Sequence, residues 1–365
     1  MGLEFLYRQP VMIRFGWGKI AELGDMLREQ GADRCLVVCD RFLQDRVEAL
    51  RDTLPEIAAV FSDVEENPQL SGVEGAVALI RENKVNAVVG MGGGSTMDTA
   101  KFAAAIALGD GEAIEYFRGI RPFPAERLPM IAVPTTAGTG SEVTQVSVIS
   151  CGREKKTINN PVFMPKAALI DPALTETVPP RTTMNTGLDA LAHALEGYWS
   201  KNHLPISDLM AVEAVRLVLN NLEAAYRDGH DRTARENMAL AALLGGLSFA
   251  LPKTAGSHAC SYPLSEDYHL PHGEACAFTL DSFVLINADE RLKELCRRVG
   301  LSGTGELAER IRALKELGGL RIKLSDLGEV DLDKLCHDCA VHPLMGNNPV
   351  KMDEAALRRM FEGLR

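Results

Sequence analysis

An aspartate and a histidine one helical turn apart are the first residues whose types and spacing could do chemistry. Asp189 and His193 lie at positions i and i+4 of the segment GLDALAHALEGY, so a helix would place both on one face. A carboxylate and a neutral imidazole held in this way can bind one divalent metal ion. Two structural alternatives stay open, because Thr186 and Asp189 fit a capping box and His193 fits a hydrogen-bonded histidine within a helix.

A later, proline-broken segment supplies further imidazoles. Residues 257–273 read SHACSYPLSEDYHLPHG and include His258, His269 and His272. These additional nitrogen donors favour a metal site over the purely structural interpretations of Asp189 and His193.

A glycine-rich turn at residues 92–94 follows the predicted strand in NAVVG and indicates phosphate binding. Glycines let backbone N–H groups approach a diphosphate, and the helix predicted to start at Ser95 directs its positive end to the same place. The spacing is neither GxGxxG nor a P-loop, since the GK[ST] ending is absent. The alternative is a tight turn in which Ser95 caps the helix and Asp98 completes a capping box.

A second polar loop, PTTAGTGSEVT at residues 134–144, follows the predicted strand at residues 130–133. Hydroxyl groups beyond the carboxyl end of a strand suit the phosphates and ribose of a nucleotide. Alone this segment could be an ordinary polar loop. Two such loops after two strands of one predicted sheet favour a nucleotide site instead.

The elements that must position these residues change character along the chain. The first half alternates short apolar runs with amphipathic stretches at residues 20–30 and 72–83, which predicts βα units around a parallel sheet. The predicted strands cover residues 35–39, 87–89, 130–133 and 168–170. After Pro179 and Pro180 the periodicity is helical. We therefore expect an α/β domain over residues 1–180 and an all-α domain over residues 181–365.

Composition excludes several classes of protein. With 365 residues, 46% of them hydrophobic, the chain can bury a large core, so intrinsic disorder is excluded. The 39 basic and 50 acidic residues give a net charge of −11, which argues against nucleic acid or an anionic membrane as the main partner. The apolar stretch at residues 238–252 is too short to span a bilayer and predicts a buried helix. No secretory signal is visible, so we expect a cytoplasmic protein with reduced cysteines.

Two cysteines in the sequence CHDC need a separate interpretation. Cys336 and Cys339 resemble half of a zinc or redox motif. A structural zinc site needs a second such pair, and a redox CxxC opens a helix after a strand. Neither context exists in this sequence, so we predict that Cys336 and Cys339 lie on one apolar helix face.

The motifs taken together resemble the iron-containing (group III) alcohol dehydrogenases, relatives of glycerol dehydrogenase and dehydroquinate synthase. GGGSTMDTAK, PTTAGTGSEVT, GLDALAHALEGY and PHG match that family in order over essentially the whole chain. The resemblance implies an N-terminal dinucleotide-binding domain and a helical metal-binding domain, as in the dehydroquinate synthase-like fold. It implies an NAD-dependent oxidoreductase acting on CH–OH groups.

The family's metal ligands fall on Asp189, His193, His258 and His272, whereas the spacing of His269 matches no ligand and predicts a surface histidine. This oxygen and nitrogen donor set fits Fe²⁺ or Zn²⁺ and leaves a net charge of about +1 to polarise a carbonyl group. Many relatives have a histidine where this chain has Tyr262. A phenol is a weaker acid–base group at pH 7, so Tyr262 either relays a proton or packs under the cofactor.

The resemblance also implies a nucleotide site. Asp40, at the end of the strand CLVVC, would accept hydrogen bonds from the adenosine ribose and repel a 2′-phosphate, which favours NAD(H) over NADP(H). The implied cofactor-binding residues are Asp40, Gly92, Gly93, Gly94, Ser95, Asp98, Thr135, Thr136, Thr139, Thr144 and Lys156.

Within the family, KTAGSHACSYPL and LEGYWSKNHLPISD resemble the branch of phosphonoacetaldehyde and sulfoacetaldehyde reductases. That branch implies a two-carbon anionic aldehyde as substrate, and Arg118, Arg121 and Lys201 are candidate cations for its head group. The alternatives are a general short-chain alcohol dehydrogenase, a dehydroquinate-synthase-like lyase and an inactive nucleotide-binding regulator. We expect a homo-oligomer, a dimer.

Overall fold

The computed structural model describes residues 4–152 and 154–364, which form two compact units. Residues 8–136 and 141–175 form the α/β unit, which contains the strands of the described chain. Residues 4–7, 137–140 and 176–364 form the helical unit. The expected order, an α/β region followed by helices, is confirmed. The domain boundary at residue 180 stays a prediction.

Six strands form a parallel sheet in the order β1-β8-β5-β4-β2-β3, and two form a separate antiparallel ribbon, β6-β7. The strands are β1 (Met12–Phe15), β2 (Cys35–Cys39), β3 (Ile57–Phe61), β4 (Ala87–Gly92), β5 (Met130–Pro134), β6 (Val146–Cys151), β7 (Glu154–Asn159) and β8 (Ala167–Ile170). Every residue of β2, β4, β5 and β8 is buried, as in parallel sheets covered on both faces. These are the four predicted strands, which are confirmed.

The carboxyl ends of three adjacent strands carry the predicted nucleotide-binding segments. Strand β4 pairs in parallel with β2 on one side and β5 on the other. Asp40, Gly93 and Thr135 follow the last residues of these strands. Because the carboxyl ends of adjacent parallel strands meet at one edge, Asp40 and both motif loops lie at the same edge of the sheet.

Helices cover the sheet and make up most of the second unit. The α/β unit contains α1 (Leu23–Glu29), α2 (Gln44–Arg51), α3 (Leu70–Glu82), α4 (Gly94–Ile106) and α5 (Ala113–Phe117). The helical unit contains α6 (Pro180–Trp199), α7 (Pro205–Arg227), α8 (Arg232–Phe249), α9 (Gly256–Tyr268), α10 (His272–Ile286), α11 (Glu290–Arg298), α12 (Thr304–Leu317), α13 (Leu332–Val341) and α14 (Glu354–Glu362). Among the described residues, no helix combines the length and apolar character needed to cross a membrane.

Helix α6 lies at the centre of the helical unit, where α7, α8 and α10 pack against it. Every residue from 187 to 199 is buried. A helix buried on all sides can hold polar side chains only where partners compensate for their lost hydration. Asp189, His193 and Glu196 are three such side chains. Their burial inside a core helix makes them candidates for a functional site.

Candidate metal centre and nucleotide site

Three helices bring the predicted metal ligands together. Asp189 and His193 come from α6, His258 from α9, and His272 is the first residue of α10. Asp189 Oδ1 lies 3.6 Å from His258 Nε2 and 3.8 Å from His272 Nε2. Asp189 Oδ2 lies 3.8 Å from His193 Nδ1, and the Nε2 atoms of His193 and His258 are 3.0 Å apart. Since α6 begins at Pro180, Thr186 and Asp189 are interior residues and the capping-box alternative is wrong.

A glycine allows α10 to start directly against α6. A Cβ atom on Gly273 would lie 2.1 Å from the backbone oxygen of Asn185, so no larger residue fits without a shift of one helix. His272 precedes this contact and Asp189 lies one turn beyond Asn185 on α6. The close approach of the two helices therefore sets the distance between these two side chains.

Glu196, which the sequence analysis did not single out, orients His258. Its buried carboxylate accepts hydrogen bonds from the backbone N–H groups of Ser257 at 2.7 Å and His258 at 3.3 Å. Its second oxygen, Oε2, forms a short hydrogen bond with His258 Nδ1. This bond fixes the ring and directs Nε2 towards Asp189, as carboxylates do behind histidine ligands of metal ions.

The donor atoms fit a divalent cation. Asp189 Oδ1 is buried and has no hydrogen-bond partner among the described residues. Burial raises the pKa of Asp189, but its electrostatic interactions with the imidazoles of His193, His258 and His272 outweigh burial and hold this pKa below its usual range. Burial lowers the pKa of His193 to about 3, so its ring is neutral at pH 7. A neutral imidazole beside an ionised, unpaired carboxylate is the donor chemistry that Fe²⁺ or Zn²⁺ accepts.

A thiol also lies at this centre. Cys276 Sγ is 3.7 Å from His272 Nε2, one turn along α10. The donor atoms of Asp189, His258, His272 and Cys276 all lie within 4.8 Å of one another. The i, i+4 spacing of His272 and Cys276 is a signal in the sequence that could have found this residue.

Two predictions about nearby residues are confirmed. His269 is exposed and ends α9 in the left-handed conformation, with φ of 55°, so it is a surface histidine. Cys336 and Cys339 are buried on α13, where they form part of an apolar helix face.

Tyr262 lies on α9, one turn after His258, and packs against a second imidazole. Its ring centroid is 4.3 Å from that of His342, with the two planes inclined by 30°. Burial, followed by the charge of His258, lowers the pKa of His342. The structure thus places a neutral imidazole beside Tyr262.

The glycine-rich turn leads into a long helix in the α/β unit. Helix α4 starts at Gly94, with Gly93 as its N-cap, one residue before the predicted start at Ser95. The Ser95 hydroxyl donates to Glu66 O, and Asp98 Oδ2 accepts from Val148 N at 3.1 Å. The capping-box alternative for Ser95 and Asp98 is therefore wrong, because both side chains bind other segments.

A buried lysine ties the two motif loops together. Lys101, at the end of GGGSTMDTAK, is 1% exposed. Its ammonium donates to Ser141 Oγ at 2.7 Å, Thr144 Oγ1 at 3.2 Å and Val146 O at 2.9 Å. Burial lowers the pKa of Lys101 to about 8. Lys101 therefore holds the later part of the second loop against α4.

The other predicted cofactor-binding residues have these positions. Asp40 Oδ1 accepts from the backbone N–H groups of residues 42 and 43, at 3.0 and 3.2 Å, and so caps a short 3₁₀ turn. Thr135 donates its backbone N–H to Gly92 O at 3.0 Å, and Thr136 is half-buried. Lys156 on β7 forms an ion pair with Glu154 at 3.0 Å. Thr139 belongs to residues 137–140, which group with the helical unit.

The candidate substrate cations differ in their surroundings. Arg121 forms ion pairs with Asp110 at 2.9 Å and Glu115 at 3.2 Å. Lys201 Nζ donates to Gly346 O at 3.0 Å. Arg118 is exposed at the end of α5. Two of the three cations therefore already have partners within their own units.

Comparison with known proteins identifies the family. Residues 10–172 match the model of the iron-containing alcohol dehydrogenases, and residues 183–363 match that of the C-terminal region of the Fe-containing alcohol dehydrogenase family. The chain belongs to this family. It is therefore an oxidoreductase of the alcohol dehydrogenase type, and the predicted resemblance is confirmed.

Several relatives cover nearly the whole chain. A crystal structure of sulfoacetaldehyde reductase from Bifidobacterium kashiwanohense in complex with NAD⁺ is 41% identical, with a TM-score of 0.95 over 100% of this chain and 99% of that one. Long-chain-alcohol dehydrogenase 1 of Geobacillus thermodenitrificans is 35% identical over 97% of this chain and 95% of its own length. The 1,3-propanediol dehydrogenase of Klebsiella pneumoniae is 32% identical over 98% of each chain.

Proposed function

We propose that this chain is an NAD(H)-linked, metal-dependent reductase of a small anionic aldehyde, either sulfoacetaldehyde or phosphonoacetaldehyde. The observation that carries the proposal is the 41% identity, over the full length, to a sulfoacetaldehyde reductase in complex with NAD⁺. That similarity supports the reductase direction, and the same site would catalyse the reverse oxidation by microscopic reversibility.

When bound, Fe²⁺ or Zn²⁺ supplies a Lewis acid and NADH supplies the hydride. Asp189, His193, His258 and His272 are the residues proposed to hold the ion. Glu196 keeps His258 in the tautomer that has its proton on Nδ1 and its lone pair on Nε2. The half-exposed ring of His272, at 47%, leaves one side of the centre accessible. A substrate oxygen has access to the centre from this side.

Tyr262 and His342 are the proposed path for the proton that the product alcohol requires. A phenol alone is a weak acid at pH 7. In this path Tyr262 gives its proton to the hydroxyl group that forms on the product, and His342, whose ring packs against Tyr262, takes up a proton from water and returns it to the phenol.

The edge of the sheet formed by β2, β4 and β5 is the proposed nucleotide site. The N-terminus of α4 and the glycines before it would bind the diphosphate. Asp98 and Lys101 hold residues 141–148 in place, which fixes the second loop relative to this helix. Asp40 supplies the negative charge that disfavours a 2′-phosphate and so favours NADH over NADPH.

A general short-chain alcohol dehydrogenase is the second candidate. The ion pairs of Arg121 with Asp110 and Glu115 favour it, because a guanidinium neutralised by two carboxylates attracts an anionic head group less strongly. The hydrogen bond of Lys201 to Gly346 O also favours the second candidate, because it already occupies a donor of this ammonium group.

Aldehyde reduction followed by nicotinamide absorbance distinguishes the two candidates. A charge-assisted contact to a sulfonate or phosphonate contributes about 1.5 to 3 kcal/mol. We expect sulfoacetaldehyde or phosphonoacetaldehyde to give at least roughly tenfold higher kcat/KM than propanal at low ionic strength. This advantage should shrink in at least one of the alanine variants of Arg118, Arg121 and Lys201. Equal kcat/KM for propanal and the anionic aldehydes would establish the second candidate.

The proposed assembly is a homo-oligomer, specifically a dimer. Light scattering of the purified chain measures its mass directly, and a mass of one chain would refute the proposal.

A further inference from the structure

Cys276 is a buried thiol on the helix that also carries His272. The two residues are one turn apart, so their side chains lie on the same face of α10. Cys276 is fully buried, and its Sγ lies 3.7 Å from His272 Nε2. The family resemblance assigns no ligand to this position.

Three of the distances among four donor atoms match those around a single ion. Ligands bound tetrahedrally at about 2.0 to 2.3 Å from an ion lie roughly 3.3 to 3.7 Å from one another. The observed separations are 3.7 Å for Cys276 Sγ to His272 Nε2, and 3.6 and 3.8 Å from Asp189 Oδ1 to His258 Nε2 and His272 Nε2. These four residues form one cluster, to which the buried, unpaired Asp189 Oδ1 belongs, and His193 Nε2 adjoins it at 3.0 Å from His258 Nε2.

We propose that Cys276 is a further ligand of the metal ion, through a thiolate, beside Asp189, His193, His258 and His272. This inference rests on the metal centre of the proposed function. Binding of the ion displaces the thiol proton to water and forms the sulfur–metal bond, with no change of oxidation state. Carboxylate and thiolate together neutralise a divalent ion. Because thiolate is a soft ligand, the site would favour Zn²⁺ or Co²⁺ over Mn²⁺.

Cobalt substitution tests the proposal in the full-length protein. The chain is freed of metal with a chelator, loaded with one equivalent of Co²⁺, and its absorption spectrum is recorded. Thiolate ligation gives a sulfur-to-cobalt charge-transfer band in the near ultraviolet, which oxygen and nitrogen ligands do not give. We expect this band in the wild type and in Cys296→Ser, a matched control with a buried thiol on α11. We expect its loss in Cys276→Ser and Cys276→Ala, with Zn²⁺ affinity at least about tenfold lower.

X-ray absorption of the Zn²⁺-loaded wild type gives an independent readout that requires no variant. One sulfur scatterer at about 2.3 Å, with the other ligands nitrogen or oxygen, supports the proposal. Stoichiometric metal without a sulfur scatterer, or a charge-transfer band that persists in Cys276→Ala, overturns it and leaves the proposed function standing. Failure of the wild type to bind either metal overturns both.

Discussion

At the scale of single residues, the buried polar groups of the candidate centre stabilise one another electrostatically. An isolated carboxylate in a helix core costs several kcal/mol in lost hydration. Asp189 is surrounded instead by imidazole nitrogens at 3.6 to 3.8 Å, which lower its pKa against the effect of burial. The arrangement becomes fully compensated when a cation occupies the space between these donors.

Replacement of His272 tests the ligand assignment. His272→Ala removes one donor nitrogen, so metal content and activity should fall together. Elemental analysis of the purified variant measures the metal. His269→Ala is the matched control, since His269 is exposed on the neighbouring segment and should leave metal content and activity nearly unchanged. Full metal content in His272→Ala would refute the assignment.

Asp40 has both a structural and a proposed electrostatic role, and one substitution separates them. Asparagine keeps a side-chain oxygen to cap the 3₁₀ turn but removes the charge. Asp40→Asn should therefore fold normally and narrow the preference for NADH over NADPH by about 1 to 3 kcal/mol in relative kcat/KM. The exposed Asp45 on α2 supplies the control, Asp45→Asn. An unchanged cofactor preference in Asp40→Asn would show that Asp40 does not contact the ribose.

The sequence predicts residue types and helix faces better than partners. Asp189 and His193 were recognised because their spacing on one helix is local information. Glu196 contacts His258 from 62 positions away, and no periodicity encodes that pairing. The partners of Asp98 and Lys101 lie at least 40 positions away along the chain and were missed for the same reason.

At the scale of elements, burial on both faces made four strands predictable. β2, β4, β5 and β8 are continuous apolar runs because helices cover both faces of a parallel sheet. The sequence analysis did not identify β1 and β3. Both are partly exposed edge strands: Arg14 interrupts the sequence MIRF of β1, and the sequence IAAVF of β3 is an apolar run that was not assigned to a strand. The β6-β7 ribbon was also missed, because β7 starts with three charged residues.

The contact between α10 and α6 can be tested through a glycine. Gly273→Ala places a Cβ against the Asn185 backbone oxygen, so the helices must separate, at a cost of about 1 to 3 kcal/mol. The displacement moves His272, so metal affinity should fall as well. Gly305→Ala on α12 is the control, because nothing lies within 4 Å of its added Cβ. That variant should gain roughly 0.4 to 1 kcal/mol of stability. Equal thermal stability of the two variants would contradict the proposed role of Gly273.

At the scale of the whole molecule, the two chemical tasks belong to different compact units. The predicted metal ligands all lie in the helical unit, and the glycine-rich turn with Asp40, Asp98 and Lys101 lies in the α/β unit. The order of the motifs along the chain made this division predictable. Each motif lies wholly in one compact unit except the loop at residues 134–144. Residues 137–140 of that loop group with the helical unit, which no local pattern indicates.

Removal of the metal should therefore lower the local stability of the helical unit and leave that of the α/β unit unchanged. A ligand that binds only the folded state stabilises it by about 4 kcal/mol when present at a thousand times its Kd. After chelation, amides of α6, α9 and α10 near the ligands should lose protection against hydrogen exchange, whereas β2, β4 and β5 should keep theirs. Addition of NADH to the chelated protein should give the opposite pattern, with slower exchange around residues 92–95. Loss of protection in β4 and α4 on chelation, with α6 and α10 unchanged, would place the ion in the α/β unit and refute the assignment of the centre to the helical unit.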